Sequence, residues 1–587
     1  MMNKHEATYH NMKKYPTLIL ALLLTIMLPA SIMAGPARRG TIRHSQPDGT
    51  SIQLRLIGDE FGHTFTTLDG RPVDVEENGA VRFRTAKEIK ELQASHDALQ
   101  EARRAQSSRK AGEPIRKTGN TAPYHWKDFT AKGEIHGVVL LVEFANVSFS
   151  QDSATIHDLL EARYNADHYI EPISYRDWSA AEGDTVSIET TITGSAHDYF
   201  RDQSFGQFTP SFDVIGPLRL DNDRIYYGGN NRSGSDSNVR GMIKDACQKA
   251  YASGLTDFSR YDNDGDGSVD FVFVVFAGND EAQFGPAECV WAQAGSLASP
   301  MRLGEVSIYD YACSAELCYD TKNIIGGIGT FVHEFSHVIG LPDFYNTNLY
   351  GTDTDFAMDY WSVMDYGLYN CEGFVPAAYT SFERYSLGWL PMQTLDKPGD
   401  ITLEQTDNCR MGYRVFVNEE DTTAFYIFEN IQKNGWNSFA PSYGLQITCV
   451  NYNASSWRGN TVNTNKQKHR YYIVPANNDY NYQTANEHLF GKKNHDFGPD
   501  TQPASITQFG DTLNRWLTDI QRVKEGPVTF KYMEGGSGIA TASADSQTEV
   551  YTLDGKRIDI SSTSKATLPK GIYIVREGGK TRKRLVM

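Results

Sequence analysis

The segment from His333 to Asp343 constrains the fold of this chain more than any other part of its sequence. Apolar residues recur in and just before it at helical intervals, at Ile328, Phe331, Val332, Phe335 and Ile339. That spacing predicts a helix with one buried face, on which His333 and His337 lie one turn apart and point the same way. Two neutral imidazoles about 2 Å from a zinc ion supply two of the three protein ligands of a hydrolytic site. The segment therefore predicts an active-site helix of a zinc hydrolase.

The third zinc ligand is predicted to be Asp343. Gly340 can take the left-handed conformation that ends a helix, which would turn the chain back so that Asp343 reaches the metal. The alternative is a glutamate about twenty residues downstream on a second helix, but no glutamate occurs between His337 and Glu372. Glu334 lies beside the histidines and suits proton transfer, from the attacking water to the leaving amine, better than metal binding.

A second motif follows at residues 361–367, Trp-Ser-Val-Met-Asp-Tyr-Gly. It resembles the methionine-containing turn beneath the zinc of metzincins, whose long motif is the His-Glu-x-x-His-x-x-Gly-x-x-His/Asp pattern described above. The resemblance implies that Met364 lies beneath the ligand imidazoles. It also implies that Tyr366 is placed to contact the metal or the developing oxyanion, with plain packing in the turn as the alternative.

These motifs together resemble the immune-inhibitor-A family of secreted bacterial metallopeptidases. The resemblance includes Pro-Asp-Phe-Tyr at 342–345, His-Asp-Tyr-Phe at 197–200 and Asp-Asn-Asp-Gly-Asp-Gly at 262–267, so it covers about residues 130 to 395. It implies a zinc peptidase that is made as a zymogen and acts on proteins or peptides. Metzincins more widely use a third histidine where this chain has Asp343, although aspartate is an ordinary zinc ligand.

Aspartates at alternate positions predict a calcium-binding loop, because they present hard oxygen ligands to one point. Phe273 stands where an EF-hand would need glutamate, so an EF-hand is excluded. A structural calcium loop leading into a strand and a solvated cluster of Asx turns both remain open. The candidate calcium ligands are Asp262, Asp264, Asp266 and Asp270.

Composition limits the remaining possibilities. A chain of 587 residues is too long for a single core, so three or four folded units are expected. Lys and Arg total 56 against 73 for Asp and Glu, and a net charge of -17 argues against a nucleic-acid partner. Seven cysteines, all at or after Cys247, are too few for a disulfide-based scaffold of this size, although Cys313 and Cys318 are close enough in sequence to pair.

The N-terminus predicts export. An apolar run from Leu18 to Leu28 follows Lys13-Lys14 and ends near Ser-Ile-Met-Ala at 31–34, the three parts of a secretory signal covering residues 1–34. The run is too short for a transmembrane helix, so no integral membrane span is expected. The protein is predicted to be secreted or attached to the cell surface.

Changes of pattern divide the rest of the chain. Residues 35–125 combine short alternating runs with a polar, basic stretch, and resemble the β-rich prodomain and protease-sensitive linker ahead of such peptidases. Residues 126–395 contain apolar runs typical of central strands and form the predicted peptidase domain. Residues 396–534 alternate in a way that predicts a β-sandwich. Residues 535–587 begin at a Gly-Gly-Ser-Gly joint.

The last unit, which contains Leu-Pro-Lys-Gly-Ile-Tyr at 568–573, is similar to the C-terminal sorting domain of the type IX secretion system of Bacteroidetes. This implies the type IX secretion machinery as a partner, with one more small β domain as the alternative. A cysteine switch is excluded as a latency device, because residues 35–246 contain no cysteine. An acidic side chain that reaches the zinc is left as an unassigned possibility.

The predicted fold is thus α+β, with a metzincin-like peptidase domain between a β-rich prodomain and C-terminal β-sandwich domains. The predicted function is that of a secreted zinc endopeptidase that hydrolyses extracellular proteins with Glu334 as general base. The alternative is a catalytically silent surface adhesin or glycan-binding protein on a peptidase fold. Hydrolysis of a non-peptide amide would use the same metal chemistry. The natural substrate, the prodomain cut site and the oligomeric state are not readable from the residues.

Overall fold

The computed structural model of the protein describes residues 33–76, 78–110, 129–176, 187–231, 234–318, 324–348, 355–533, 549–552, 556–558, 571–577 and 580–586. Nearly all of the predicted secretory signal lies outside these residues. Among the residues that are described, no helix is both long and apolar enough to cross a membrane. The fold is mixed α+β, as predicted.

The N-terminal unit is an antiparallel sheet followed by one long helix. Its five strands lie in the order in which they occur along the chain, each paired with the next. Short alternating runs bounded by turn residues form such a meander because each turn returns the chain beside the strand it has just left. The elements are β1 (Ile42–Ser45), β2 (Ser51–Asp59), β3 (Gly62–Thr67), β4 (Pro72–Val75), β5 (Val81–Phe83) and α1 (Ala86–Lys110).

The central unit contains a seven-stranded sheet with the order β10-β13-β11-β6-β9, in which β12 and β14 also pair with β13. Its middle strands, β6 and β11, are parallel and are the two apolar runs expected to be central. β12 runs antiparallel to β13. The strands are β6 (Gly133–Glu143), β9 (Phe208–Arg219), β10 (Ser268–Val269), β11 (Val272–Asn279), β12 (Gln293–Leu303), β13 (Val306–Cys318) and β14 (Ile324–Ile325), and a separate pair is β7 (Ile170–Arg176) with β8 (Ser187–Thr193).

Five α-helices accompany this sheet, and the fifth is the predicted active-site helix. Its apolar face packs on the sheet, where the ring of Phe331 lies 4.3 Å from that of Phe273 and the ring of Phe335 lies 4.6 Å from that of Phe271. The aromatic spacing that predicted a buried face therefore fixes which side of the helix faces away from the sheet. The helices are α2 (Ser153–Asn165), α3 (Ala196–Gln203), α4 (Arg224–Gly228), α5 (Val239–Ala252) and α6 (Gly329–Val338).

The region from residue 381 onward is β-rich. A five-stranded sheet, β15-β17-β18-β19-β20, and a three-stranded sheet, β16-β22-β21, share an apolar core. The elements are α7 (Ser381–Ser386), β15 (Met392–Thr394), β16 (Gly399–Leu403), β17 (Gly412–Phe416), β18 (Ala424–Ile431), β19 (Gly444–Asn451), α8 (Ala454–Arg458), β20 (Tyr471–Ile473), β21 (Leu517–Arg522) and β22 (Val528–Tyr532). Short 3₁₀ helices occur at Phe258–Tyr261, Glu281–Gln283, Asp359–Trp361, Tyr366–Gly373, Gly435–Asn437 and Tyr482–Glu487.

This β-rich region shares a second core with the central unit. Phe382 of α7 contacts Phe425 of β18 and Tyr471 of β20, at ring separations of 6.2 and 4.8 Å. The same apolar cluster continues through Phe335 of α6. The predicted domain division at residue 395 stays a prediction, and the residues on its two sides pack together.

The described part of the C-terminal unit is a four-stranded antiparallel sheet with the order β24-β23-β25-β26. Its strands are β23 (Glu549–Thr552), β24 (Arg557–Ile558), β25 (Gly571–Glu577) and β26 (Lys580–Val586).

All seven cysteines lie among the described residues, and none of them forms a disulfide. Cys313 and Cys318 both lie on β13. Because side chains alternate along a strand, residues five apart point to opposite faces, and their Cα atoms are about 16 Å apart. Nearness in sequence therefore brings these two thiols no closer to a disulfide.

Candidate metal centre and active-site cleft

Helix α6 presents its two histidines in the state that binds metals. Both are fully buried, and both donate from Nδ1 to a backbone carbonyl: His333 to Val363 O at 2.8 Å and His337 to Leu341 O at 2.7 Å. A ring nitrogen that faces a carbonyl must carry the proton, so each Nε2 keeps its lone pair. The two Nε2 atoms lie 3.2 Å apart.

Asp343 completes the group. Gly340 has a φ of +108°, which a side chain would disfavour, and the chain turns back there after α6 as predicted. Asp343 Oδ1 lies 3.3 Å from His333 Nε2 and 3.2 Å from His337 Nε2. Ligands about 2.0–2.1 Å from a tetrahedral zinc ion are roughly 3.3 Å from one another. The three atoms thus have the mutual spacing of three corners of a zinc tetrahedron.

Unpaired buried oxygens support this fit. Asp343 Oδ1 and Glu334 Oε2 are buried without a hydrogen-bond partner among the residues that the structure describes. Burial raises the pKa of Glu334 well above its usual range, and the charge of Asp343 raises it further. Burial also opposes ionisation of Asp343, but His337 and His333 hold the pKa of that carboxyl well below its usual range. A buried, unpartnered Asp343 Oδ1 that faces two imidazole nitrogens fits a bound cation.

Asn460 fixes the orientation of Asp343 from the β-rich region. Its Nδ2 donates to Asp343 Oδ2, and its Oδ1 accepts a 2.6 Å hydrogen bond from Asp343 N–H. This leaves Oδ1 of Asp343 as the oxygen that faces the two histidines. Asn460 follows Asp343 by 117 positions and lies in no recognisable motif, so the sequence held no signal for it.

The methionine-containing turn lies directly against the metal centre. Its residue Val363 accepts the hydrogen bond from His333, and the carbonyl of Met364 accepts one from Phe344 N–H at 2.8 Å. The turn is therefore hydrogen-bonded both to a candidate ligand and to the residue after Asp343. Met364 is fully buried. Its assignment as the floor of the site stays a prediction that these contacts favour.

The side chain of Tyr366 stacks on that of Arg39. Its ring centroid lies 3.6 Å from the guanidinium carbon of Arg39. This stacking involves the face of the ring, and Arg39 belongs to residues 33–39 rather than to the metal group. The catalytic role of Tyr366 remains a prediction.

The aspartate-rich loop gathers three of its four predicted calcium ligands. Carboxylate oxygens of Asp262, Asp264 and Asp266 lie within 4.8 Å of one another. Asp270 instead accepts hydrogen bonds from Asn263, from its N–H at 3.0 Å and its Nδ2 at 2.6 Å. Burial raises the pKa of Asp270, and these hydrogen bonds oppose the shift. Calcium binding remains a prediction for this loop.

The cleft above the metal group contains the chain's own residues 33–39, called the N-terminal segment below. Met33 forms an antiparallel bridge with Ala294 of β12, with N–H···O distances of 2.7 and 2.6 Å. β12 pairs on its other side with β13, so the segment extends the sheet by one more strand. Gly35 N–H then donates to Glu334 Oε1 at 3.1 Å.

Three aromatic side chains hold the backbone of this segment. Its successive carbonyls accept hydrogen bonds from a tyrosine, a tryptophan and a second tyrosine. The three contacts are Tyr345 Oη to Ala34 O at 2.7 Å, Trp291 Nε1 to Gly35 O at 3.2 Å, and Tyr369 Oη to Pro36 O at 2.8 Å. No motif in the sequence predicts a role for these three residues. The sequence left an acidic side chain as a possible latency device, whereas in the structure a main-chain amide contacts Glu334.

A zinc-dependent peptidase is defined by the central sheet, by helix α6 and by the converging Nε2 atoms of His333 and His337 and Oδ1 of Asp343. Residues 128–393 match the family described as Immune inhibitor A peptidase M6, catalytic domain. This part of the chain is similar to that family of metallopeptidases, and the buried His333, Glu334 and His337 form a candidate zinc site.

Two known proteins illustrate the similarity. Immune inhibitor A of Bacillus thuringiensis subsp. alesti is 24% identical over 509 residues, which cover 76% of this chain and 69% of that protein. Pre-pro-metalloprotease PrtV of Vibrio cholerae serotype O1 (strain M66-2) is 26% identical over 320 residues, which cover 46% of this chain and 33% of PrtV. The chain thus spans about a third of the length of PrtV.

Proposed function

We propose that this protein is a secreted zinc endopeptidase of the metzincin type, made as a zymogen, that hydrolyses peptide bonds of extracellular proteins. His333, His337 and Asp343 are the zinc ligands, and Glu334 is the general base. The observation that carries the proposal is the mutual spacing of 3.2–3.3 Å between the three ligand atoms, beside a buried glutamate.

The chemistry follows from this arrangement. A zinc ion held by these residues would polarise the scissile carbonyl and lower the pKa of water. Glu334 takes the proton from the attacking water and passes it to the leaving nitrogen. The hydrogen bond of 3.1 Å between Gly35 N–H and Glu334 Oε1 supports the second transfer, because a main-chain nitrogen comes within reach of this carboxyl.

The N-terminal segment supports latency. While Gly35 to Arg39 occupy the cleft, no other peptide can approach Glu334. The segment continues into the five-stranded sheet, which also docks on the central unit: His63 of β3 contacts Glu281 at 2.9 Å, and Phe61 O accepts a hydrogen bond from Ser235 Oγ at 2.6 Å. Activation then requires a cut after α1 and departure of this unit.

The remaining units take supporting roles in the proposal. The aspartate loop binds calcium and stabilises the start of β6, because Asn263 exchanges hydrogen bonds of 2.8 and 3.0 Å with the backbone of His136. The two sheets of residues 396–534 form a β-sandwich that supplies Asn460 to the metal centre. Residues 535–587 direct export by the type IX secretion machinery.

The first experiment compares the protein starting at residue 35 with its Glu334→Ala and Glu334→Gln variants, after limited proteolysis between the predicted prodomain and the peptidase domain. Zinc content is measured by elemental analysis, and hydrolysis is measured on a denatured protein. We expect one zinc per chain in all three proteins and activity only in the wild type. Zinc without hydrolysis in the wild type would favour the adhesin alternative, and absence of zinc would refute the site.

Calcium is tested separately by thermal unfolding. Added calcium should raise the melting temperature of the wild type, and Asp262→Asn should abolish this rise because it removes ligand charge. Asp221→Asn, at an exposed aspartate outside the loop, is the matched control. Equal melting temperatures with calcium and with a chelator would show that the aspartates form only Asx turns.

A further inference from the structure

We propose that the pocket formed by Asp359, Tyr360, Tyr366 and Tyr482, called the Arg39 pocket below, is a substrate subsite selective for arginine. It would bind the fifth residue after the scissile bond. This inference rests on the proposed peptidase function and adds a substrate class to it. Three features of the cleft carry it: the path of the N-terminal segment, the enclosure of Arg39, and the charge that the pocket retains.

The N-terminal segment follows the path that a peptide substrate needs. It pairs antiparallel with β12 at Met33, and the nitrogen of the Ala34–Gly35 peptide bond lies beside Glu334. Gly35 N lies 3.1 Å from Glu334 Oε1, and a Cβ atom on Gly35 would lie 3.8 Å from the His333 ring. Counted from this bond, Arg39 is the fifth residue on the side of the leaving amine.

The Arg39 pocket encloses a guanidinium group on several sides. The Arg39 side chain is 7% exposed and pairs with Asp359 at 2.5 Å. Its guanidinium carbon lies 3.6 Å from the ring centroid of Tyr366 and 4.3 Å from that of Tyr482. A planar, weakly hydrated cation gains more from such stacking than the compact ammonium of lysine. The pocket therefore distinguishes arginine from lysine as well as from neutral residues.

The negative charge of the pocket belongs to the central unit and stays when the segment leaves. The side chain of Asp359 is 1% exposed. Asp365 holds its backbone in place, because Asp365 Oδ2 accepts hydrogen bonds from Met358 N–H at 3.1 Å and Asp359 N–H at 2.7 Å. Departure of Arg39 removes the guanidinium that pairs with Asp359 in this structure. A substrate arginine restores that pairing, which a neutral side chain cannot do.

Arg38 provides an internal comparison. It pairs with Glu372, and its guanidinium carbon lies 5.2 Å from the ring centroid of Tyr369. Glu372 lies in a tight turn in which Cys371 and Glu372 have φ values of +48° and +58°. The neighbouring pair has the same charges as the Arg39 pair and lies outside the Arg39 pocket. Glu372→Gln is therefore the matched control for a change at Asp359.

The test uses the proteolytically activated full chain and peptides of the form Met-Ala-Gly-Pro-Ala-Gln-Xaa-Gly, in which Xaa is Arg, Lys, Gln or Glu. Mass spectrometry identifies cleavage between the first alanine and the glycine that follows it, and kcat/KM is measured for each peptide. For the wild type we expect kcat/KM to be roughly tenfold or more higher for Arg than for Gln, through a lower KM. Asp359→Asn should reduce this ratio to below about threefold, and Glu372→Gln should preserve it.

Asparagine tolerates the φ of +55° at position 359 and can keep the hydrogen bond to Tyr360 N–H, so the variant retains the local backbone. A measurement without any variant supplements it: Gly-Pro-Ala-Gln-Arg-Gly should inhibit the wild type at least about fivefold more strongly than Gly-Pro-Ala-Gln-Gln-Gly.

Equal kcat/KM values and equal inhibition for Arg and Gln peptides, with continued hydrolysis of denatured protein, would overturn the inference and leave the proposed function standing. An arginine preference that survives in Asp359→Asn would overturn the assignment to this pocket. If neither the peptides nor denatured protein are hydrolysed, the proposed function fails and the inference fails with it.

Discussion

At the scale of single residues, the metal centre depends on partners that orient its ligands. The two histidines are set by carbonyls within the chain segments that follow them, whereas Asp343 is set by Asn460 from another sheet. Such outer partners fix which oxygen faces the metal and how basic it is. The proposed metal ligands are therefore predictable from one motif, whereas Asn460, which orients the third of them, is not.

Asn460→Ala should weaken zinc binding by roughly 10- to 100-fold, because Asp343 would lose both of its hydrogen bonds to this side chain. Competition with a chromophoric chelator measures the affinity. Asn465→Ala, at an exposed asparagine in the same region, is the control and should bind zinc like the wild type. An unchanged affinity in Asn460→Ala would show that Asp343 is positioned without it.

A second prediction at the scale of single residues concerns Glu383 and the pH dependence of the free energy of unfolding. Burial raises the pKa of Glu383 from 4.5 to about 7, and its carboxyl is bonded to Ser362 Oγ and Thr380 N–H. A folded-state pKa above the unfolded value means that stabilisation is fully present below pH 4.5 and is lost as the pH rises through about 7. The free energy of unfolding should fall by about 3 kcal/mol over this range through Glu383 alone.

Glu383→Gln should remove that part of the pH dependence, because the amide is neutral at every pH and can still complete the capping box at the start of α7. Chemical denaturation at several pH values between 4.5 and 8 measures the difference between the two proteins. Glu420→Gln, at an exposed glutamate, should leave the profile unchanged. Parallel profiles for wild type and Glu383→Gln would contradict the raised pKa.

At the scale of elements, helix α6 is placed by close backbone contacts as well as by its aromatic face. A Cβ atom on Gly329, its first residue, would lie 2.1 Å from Leu368 O and 3.0 Å from Gly373 O. The start of α6 thus touches the 3₁₀ helix that follows the methionine-containing turn. Both helices border the metal centre, so their separation sets the position of His333 relative to Val363.

Gly329→Ala should displace the start of α6, lower the free energy of unfolding by about 1–3 kcal/mol and reduce zinc affinity. Gly399→Ala is the matched control, because a Cβ atom there meets nothing within 4 Å. Denaturant unfolding and zinc titration measure the two effects. A Gly329→Ala protein as stable as the control would show that the contact relaxes without cost.

At the scale of the whole molecule, the N-terminal sheet is held on the central unit by a buried polar contact. His63 pairs with Glu281 at 2.9 Å and stacks on Trp291 with ring centroids 4.6 Å apart. Trp291 in turn binds Gly35 O. The contact that docks the sheet is therefore adjacent to the contact that holds the N-terminal segment in the cleft.

His63→Ala should loosen this docking and make the uncut chain several-fold more active on a peptide substrate, because it removes the side-chain contact with buried Glu281 and the stack on Trp291. Arg43→Ala, at an exposed position in the same sheet, should remain as latent as the wild type. Both chains need an intact linker, verified by mass spectrometry. Equal latency in the wild type and both variants would show that the N-terminal segment stays in the cleft without help from the docking of the sheet.

The sequence by itself determined the local part of this protein. The helical spacing of His333, Glu334 and His337 placed three groups on one helix, and Gly340 predicted the turn that returns Asp343 to them, because helix geometry relates residues a few positions apart. The apolar runs predicted the central strands for the same reason. Only the tertiary structure decided that Asn460 supports Asp343, that residues 33–39 fill the cleft and that Arg39 meets Asp359 and Tyr366. These contacts join residues more than a hundred positions apart, and no local periodicity encodes which distant segments meet.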